Sequence, residues 1–255
     1  MTETLAADPA VPEPIVPKKN VFQRFAGVLF APAETFEDIA RKPDILAPLI
    51  LLLVISYIST ALVMPRMDFD AVMDAQFEQV RKQNPNLSEA DVERMGRVGK
   101  AIGTVMGWLG PVLNAIWWVI VALVLLLGVR LFGGEGDFKQ AFSATLYAWA
   151  PLTLFGIIMT IVIVARGTFD PTMGPTIVKS NPAFLVDMKA QPVLFSFLAT
   201  LDVFTLWSVI LMIFGFSALS KLSRGRTAAI VVSLWIALIL IRVGFAAVGA
   251  MRAGA

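Results

Sequence analysis

The sequence predicts an all-α polytopic membrane protein: five transmembrane helices, an N-terminal interfacial amphipathic helix, and a helical extramembrane hairpin between helices one and two. Three observations predict it. The chain is 57% hydrophobic and only 16% charged, too apolar for an ordinary soluble domain. Its charges are unevenly spread: 21 uncharged residues separate Asp44 from Arg66, 29 separate Lys100 from Arg130, and 26 separate Lys139 from Arg166. Each run can cross a hydrocarbon core of roughly 30 Å at about 1.5 Å per residue. Two further apolar stretches, 190–220 and 227–251, carry one charge each, Asp202 and Arg242. The spans fall at 45–65, 101–129, 140–165, 192–219 and 227–250, within a membrane domain of residues 44–251.

Residues 1–20, "MTETLAADPAVPEPIVPKKN", hold four prolines, three acids and no apolar run, and read as a disordered tail rather than a signal peptide. Cysteine and histidine are absent. Disulfides, thiolate nucleophiles, imidazole bases and His- or Cys-ligated metals are therefore excluded, and no cofactor is expected. A net charge of +2 without a basic, aromatic-interleaved stripe excludes nucleic acid as a partner. The expected partners are the lipid bilayer and either a second protein or another copy of the chain.

Residues 21–43 precede the first span. In "FAPAETFEDIARKP", Pro32 suits a helix's first turn, and Glu34, Glu37 and Asp38 favour its N-terminal end. Pro43 stops the helix after Arg41 and Lys42. Phe36, Ile39 and Ala40 share one face, and upstream Phe22, Phe25 and Leu29 fall at helical spacing. Such a segment lies in the headgroup layer and fixes the entry of the span, or else offers a docking surface to a partner.

Met64-Pro65 ends the first span. Residues 66–100 carry six basic and seven acidic residues and read as the extramembrane hairpin. Its first arm, "FDAVMDAQFEQVRKQ", sets Phe69, Val72, Met73, Phe77 and Val80 on one side. "NPN" breaks it, and Ser88 restarts a helix as N-cap, with Asp91 three residues later. Asn86-Leu87-Ser88 matches a glycosylation sequon, a three-residue pattern with little specificity. The second span opens on Gly99, Gly103 and Gly107, whose spacing leaves a groove for a close helix contact, within the chain or with a second copy. Gly133-Gly134-Glu135-Gly136 is a tight turn and not a phosphate cradle, since no strand precedes it and no GK[ST] follows. Pro151 removes a backbone bond inside the third span and kinks it. Asn181-Pro182 starts a short helix in the loop before the fourth span.

Five crossings put the termini on opposite sides. With the N-terminus inside, each side holds ten Lys and Arg residues. The inside charges sit in short segments beside span ends, where the positive-inside bias is set, so the reading is N-terminus cytoplasmic and C-terminus external.

Asp202 and Arg242 are the ionisable pair placed within spans, and intramembrane charges are functional hypotheses by default. Counted from the turn joining spans four and five, they reach nearly one depth, about 27 and 24 Å in at 1.5 Å per residue. An ion pair locking the two helices is one reading; a role in an ion, proton or solute pathway is the other.

The order of features resembles the Yip1-domain family in its bacterial form. The resembling pieces are "FAPAETFEDIARKPDILAPL", "NLSEADVERM", "GKAIGTVMGWLGP", "GGEGDFKQAFSATLYAWAPL" and "LDVFTLWSVILMIFGFSALSKLSRGRTA", across residues 20–245. The resemblance implies a five-helix domain with a cytoplasmic N-terminus, in the inner membrane of a bacterium. Eukaryotic relatives bind Rab-type GTPases in vesicle transport. That role does not carry over to a bacterial protein, and the chain lacks their long N-terminal region. The family brings no catalytic residues, and none is transferred.

A non-catalytic scaffold or adaptor is the function expected. The alternative is a small permease, channel or lipid-handling protein using Asp202 and Arg242. Five helices do not divide into two equal inverted repeats, which counts against the common transporter plan. An intramembrane enzyme ranks last, since no second carboxylate accompanies Asp202.

Overall fold

The computed structural model describes residues 19–69, 73, 77, 80, 88–169, 174–188 and 190–253. Among these the regular structure is helical, apart from one isolated parallel bridge between Met67 and Phe169. Five segments are long and apolar enough to cross a membrane: Leu46–Arg66, Glu89–Leu131, Phe138–Arg166, Val203–Ser220 and Arg224–Met251. The all-α architecture with five spans is thus the observed one. The expected tail lies outside the described residues except for Lys19 and Asn20.

Two short helices come first. Asn20 opens α1 (Val21–Phe30) with a capping box, its side chain accepting from the Gln23 N–H while Gln23 Oε1 accepts from the Asn20 N–H, each at 2.9 Å. Pro32 begins α2 (Pro32–Arg41), with Glu34 in its first turn and Arg41 in its last, as the helix dipole favours. The sequence reading gave their apolar face to the headgroup layer; the structure gives much of it to the bundle. Val28, Phe36 and Ile39 are buried in the main core beside Tyr147, Ala148, Leu211 and Phe216. Phe36 seats on Gly215, where an added Cβ would meet its ring at 3.1 Å. Apolar burial at about 25 cal/mol per Å² outweighs what the headgroup boundary offers, because the core also supplies close-packed neighbours.

The first span is α3 (Leu46–Val63), closed by a 3₁₀ turn at Met64–Arg66. Of the hairpin's first arm, Phe69, Met73, Phe77 and Val80 are described and helical; Val72, the "NPN" break and Asn86 of the sequon fall outside the described residues. Ser88 caps α4 (Glu89–Leu131), accepting from the Asp91 N–H at 3.2 Å. Here the expected boundaries change. The hairpin's second arm and the second span are one unbroken helix of 43 residues, because only Pro111 interrupts its hydrogen-bond ladder.

The third span is divided. α5 (Phe138–Ala148) starts at the Asp137–Gln140 capping box, after a turn in which Gly133 and Gly136 adopt positive φ. It ends at Trp149, and α6 (Ala150–Arg166) resumes with Pro151 in its first turn. The expected fourth span, 192–219, needs correction. It consists of α7 (Pro192–Leu198), a break, and α8 (Val203–Ser220). Asp202 causes the break: its backbone is extended, and its side chain accepts from the N–H groups of Phe204 and Thr205. The carboxylate therefore caps a span instead of lying midway along one. α9 (Arg224–Ala253) is the fifth span. α8 packs between α5 and α9 and also carries α2, while α3 lies against α4 and α6.

Candidate functional site

At the end of the bundle that carries α1 and α2, three polar side chains meet around one buried guanidinium. Arg24 is 0% exposed. It interrupts the apolar stripe Val21, Phe25, Val28 of α1, so the same 3.6-residue periodicity that buries those residues buries it. Its Nε donates to Asp38 Oδ2 at 2.9 Å, and Nη2 stands equally near that oxygen without hydrogen-bond alignment. Its Nη1 pairs with Asp44 Oδ1. Tyr147 on α5 donates its hydroxyl to the same Asp44 carboxylate, 3.0 Å from Oδ2. The Tyr147 ring packs on Phe25, with centroids 4.8 Å apart, and faces the guanidinium at 6.0 Å. Burial alone would lower the Arg24 pKa, but the charges of Asp44 and Asp38 outweigh it and hold it raised above an ordinary arginine's.

The cluster joins α1, α2, the entry to α3 and α5 at one point. Gln140 adds a bond from Nε2 to the Ala40 carbonyl at 2.8 Å, tying the end of α2 to α5. Sequence reasoning used Arg24 only as a topology charge and Asp44 only as the edge of a span. The signal that marks Arg24 was present: an arginine at a position of α1 where the periodicity calls for an apolar residue.

Asp202 and Arg242 are not brought together. Among the described residues Asp202 makes no ion pair with Arg242. Its Oδ1 serves the cap, and its Oδ2 accepts from Ser180 Oγ. The Val203 N–H reaches the Ser180 carbonyl at 3.0 Å, so Asp202 fastens the third loop to the head of α8. The physical reason is geometric. A free helix N-terminus offers unsatisfied N–H donors to a carboxylate on the spot, whereas Arg242 must be reached from another helix.

Arg242 is exposed and lines a cavity of about 590 Å³ between α4, α6, α8 and α9. Its walls are mostly apolar, with Thr200, Thr205 and Ser208 as the hydroxyl-bearing members. A second cavity, about 660 Å³, lies between α3, α4 and α6 and is lined by Ser56, Ser59, Thr60, Asn114 and Thr153 among others. Trp117, Trp149 and Leu152 line both. Trp149 is the residue at which the third span divides, two residues before Pro151.

The glycine ridge meets its partner within the chain. An added Cβ at Gly99 would run into Met73 Sδ, at Gly103 into Phe69 Cε1 at 2.8 Å, and at Gly107 into Met64 Sδ at 2.5 Å. The apolar side of the hairpin's first arm is therefore laid along the glycines of α4. Among the described residues no three acids come together to hold a metal ion.

Five apolar helical spans around a packed core, with a hairpin of short helices locked to one end, define a polytopic helical membrane protein. The sequence profile of the Yip1 domain matches residues 26–245, and the chain belongs to that family. It is similar to the membrane protein YknW of Bacillus subtilis (strain 168), 22% identical over 199 residues that cover 78% of this chain and 79% of the relative. No solved structure matches it significantly.

Proposed function

We propose that this Yip1-domain protein is a non-catalytic scaffold or adaptor of a bacterial inner membrane, with its N-terminus cytoplasmic and its C-terminus external. The carrying observation is the Arg24–Asp38–Asp44–Tyr147 cluster, which fixes α1 and α2 as a rigid platform. A pathway through the membrane needs elements that open, whereas this arrangement spends a buried charge network on holding two extramembrane helices still. The platform keeps Phe22 and Phe30 largely exposed, 67% and 85%, beside the charged Glu34, Glu37 and Arg41. Apolar side chains rimmed by charges at the membrane surface suit docking of a partner protein or immersion in the headgroup layer. The alternative, a permease built on an Asp202–Arg242 pair, loses its support because Asp202 is otherwise engaged.

A photocrosslinking side chain at Phe30 or Glu37 in native membranes tests the reading. One discrete protein adduct is expected, weakened by Asp44→Asn, which loosens the platform. Adducts to lipid alone from both positions, together with solute flux through vesicles of the purified protein, would overturn it.

A further inference from the structure

We propose that the 590 Å³ cavity between α4, α6, α8 and α9 is a binding site for an anionic phospholipid, with one chain in the cavity and the phosphodiester on Arg242. Its volume falls in the range of about 300–1,000 Å³ usual for small-molecule sites. The deep wall is hydrocarbon: Leu125, Met212, Val231 and Leu234 line it. The opposite end carries Arg242 with Thr200 and Thr205.

Three observations choose the ligand. Among the described residues Arg242 has no hydrogen-bond or ion-pair partner, and a cation inside a span needs an anion from somewhere. Arg242 lies about 27 Å along α9 from Arg224, near the far edge of a roughly 30 Å hydrocarbon core, where a lipid phosphate is within reach of a snorkelling guanidinium. Ser208, one turn deeper than Thr205 on α8, is 2% exposed, lines the cavity, and its Oγ lacks a partner. A buried hydroxyl without an acceptor is unfavourable, and the ester carbonyl between a phosphate and an acyl chain would supply one. Phosphate, ester and chain follow one another in a lipid in the order in which arginine, serine and apolar wall follow one another here. A free anion has no use for the apolar wall. Among the described residues no acidic side chain lines the cavity to receive the ammonium of a zwitterionic lipid, so a net negative headgroup is favoured.

The full chain in nanodiscs tests this, with tryptophan fluorescence as readout, since Trp117, Trp149 and Trp235 line the cavity. Chain-brominated phosphatidylglycerol should half-quench at an about fivefold lower mole fraction than brominated phosphatidylcholine, the preference one arginine near a membrane surface gives. Arg242→Gln should bring that ratio close to one. Glycerol 1-phosphate should not compete, which separates a lipid site from a phosphate site. Equal quenching by the two lipids in the wild type, an unchanged preference in Arg242→Gln, or competition by glycerol 1-phosphate would each overturn the proposal. If Arg242→Gln does not fold, Leu238→Trp decides: it fills the cavity and leaves the cation, so it should abolish the preference, and a preference that survives it would refute the site.

Discussion

Arg24 shows how one side chain can be worth more than a span boundary. Its guanidinium is sealed from solvent and answered by two carboxylates and a tyrosine, so removing one partner strands the rest. Asp44→Asn should lower stability by about 3 kcal/mol, the usual effect of breaking a buried ion pair, read as an earlier thermal transition in detergent. Tyr147→Phe removes one bond to a charged group and should cost about 1.5 kcal/mol. Arg24→Met combined with Asp44→Asn should recover part of the loss, since the buried guanidinium is gone and the one charge left without its partner, Asp38, is partly exposed to water. Asp202 behaves differently. Asn can still accept from Phe204 and Thr205, so Asp202→Asn should cost about 1 kcal/mol or less. A double-mutant cycle with Arg242→Gln should show coupling below about 0.5 kcal/mol. Coupling of several kcal/mol would restore the ion pair. The sequence marked Asp202 as important through its setting in an apolar run, but not its partner, because a carboxylate's choice between a helix end and a distant cation depends on where the helix starts.

The spans were legible because charge-free length is a coarse quantity that tertiary packing does not alter. The interruption of the third span at Trp149 was legible through Pro151, whereas the break at Asp202 was not, since a cap replaces a few backbone bonds without changing composition. The glycine spacing was legible as a close contact, and the apolar side of "FDAVMDAQF" as a face; that one covers the other required the turn between them. Their contact makes an ordered prediction. At Gly103 a methyl would press on the ring of Phe69, a rigid neighbour, and Gly103→Ala should destabilise by about 1–2 kcal/mol. At Gly107 the obstacle is the flexible end of Met64, which can swing aside, so the helix-propensity gain of up to about 1 kcal/mol should leave Gly107→Ala near neutral. Thermal scans of the two variants check this, and the reverse order would mean that Phe69 does not lie on the ridge.

For the whole molecule, the bridge between Met67 and Phe169 links the loop after the first span to the loop after the third. Two crossings, the second and third spans, separate those loops and so place them on one side, and α2 packs at the opposite end, against the C-terminal part of α8. With the N-terminus cytoplasmic, as proposed, reporter fusions after Arg224 should read cytoplasmic, and fusions after Asn86 or Ala255 external. The inverse pattern would reverse the orientation and leave the fold untouched, and an even number of crossings would contradict both. The number of crossings could be read from the chain because apolar length alone determines it. The orientation rests on a finer balance of Lys and Arg near span ends.

The unbroken α4 has a mechanical meaning. From Ala101 back to Glu89 the helix extends about 18 Å past the start of its apolar run, in one piece with the part that lies against α5 and α9. An arm hinged on a loop can swing freely; this one cannot move without turning its own root in the bundle. With the first arm pressed along its glycines, the pair works as a stiff lever through the bilayer. A load at Glu89 would reach Leu131 through helix backbone alone, with Pro111 the place where the hydrogen-bond ladder yields first.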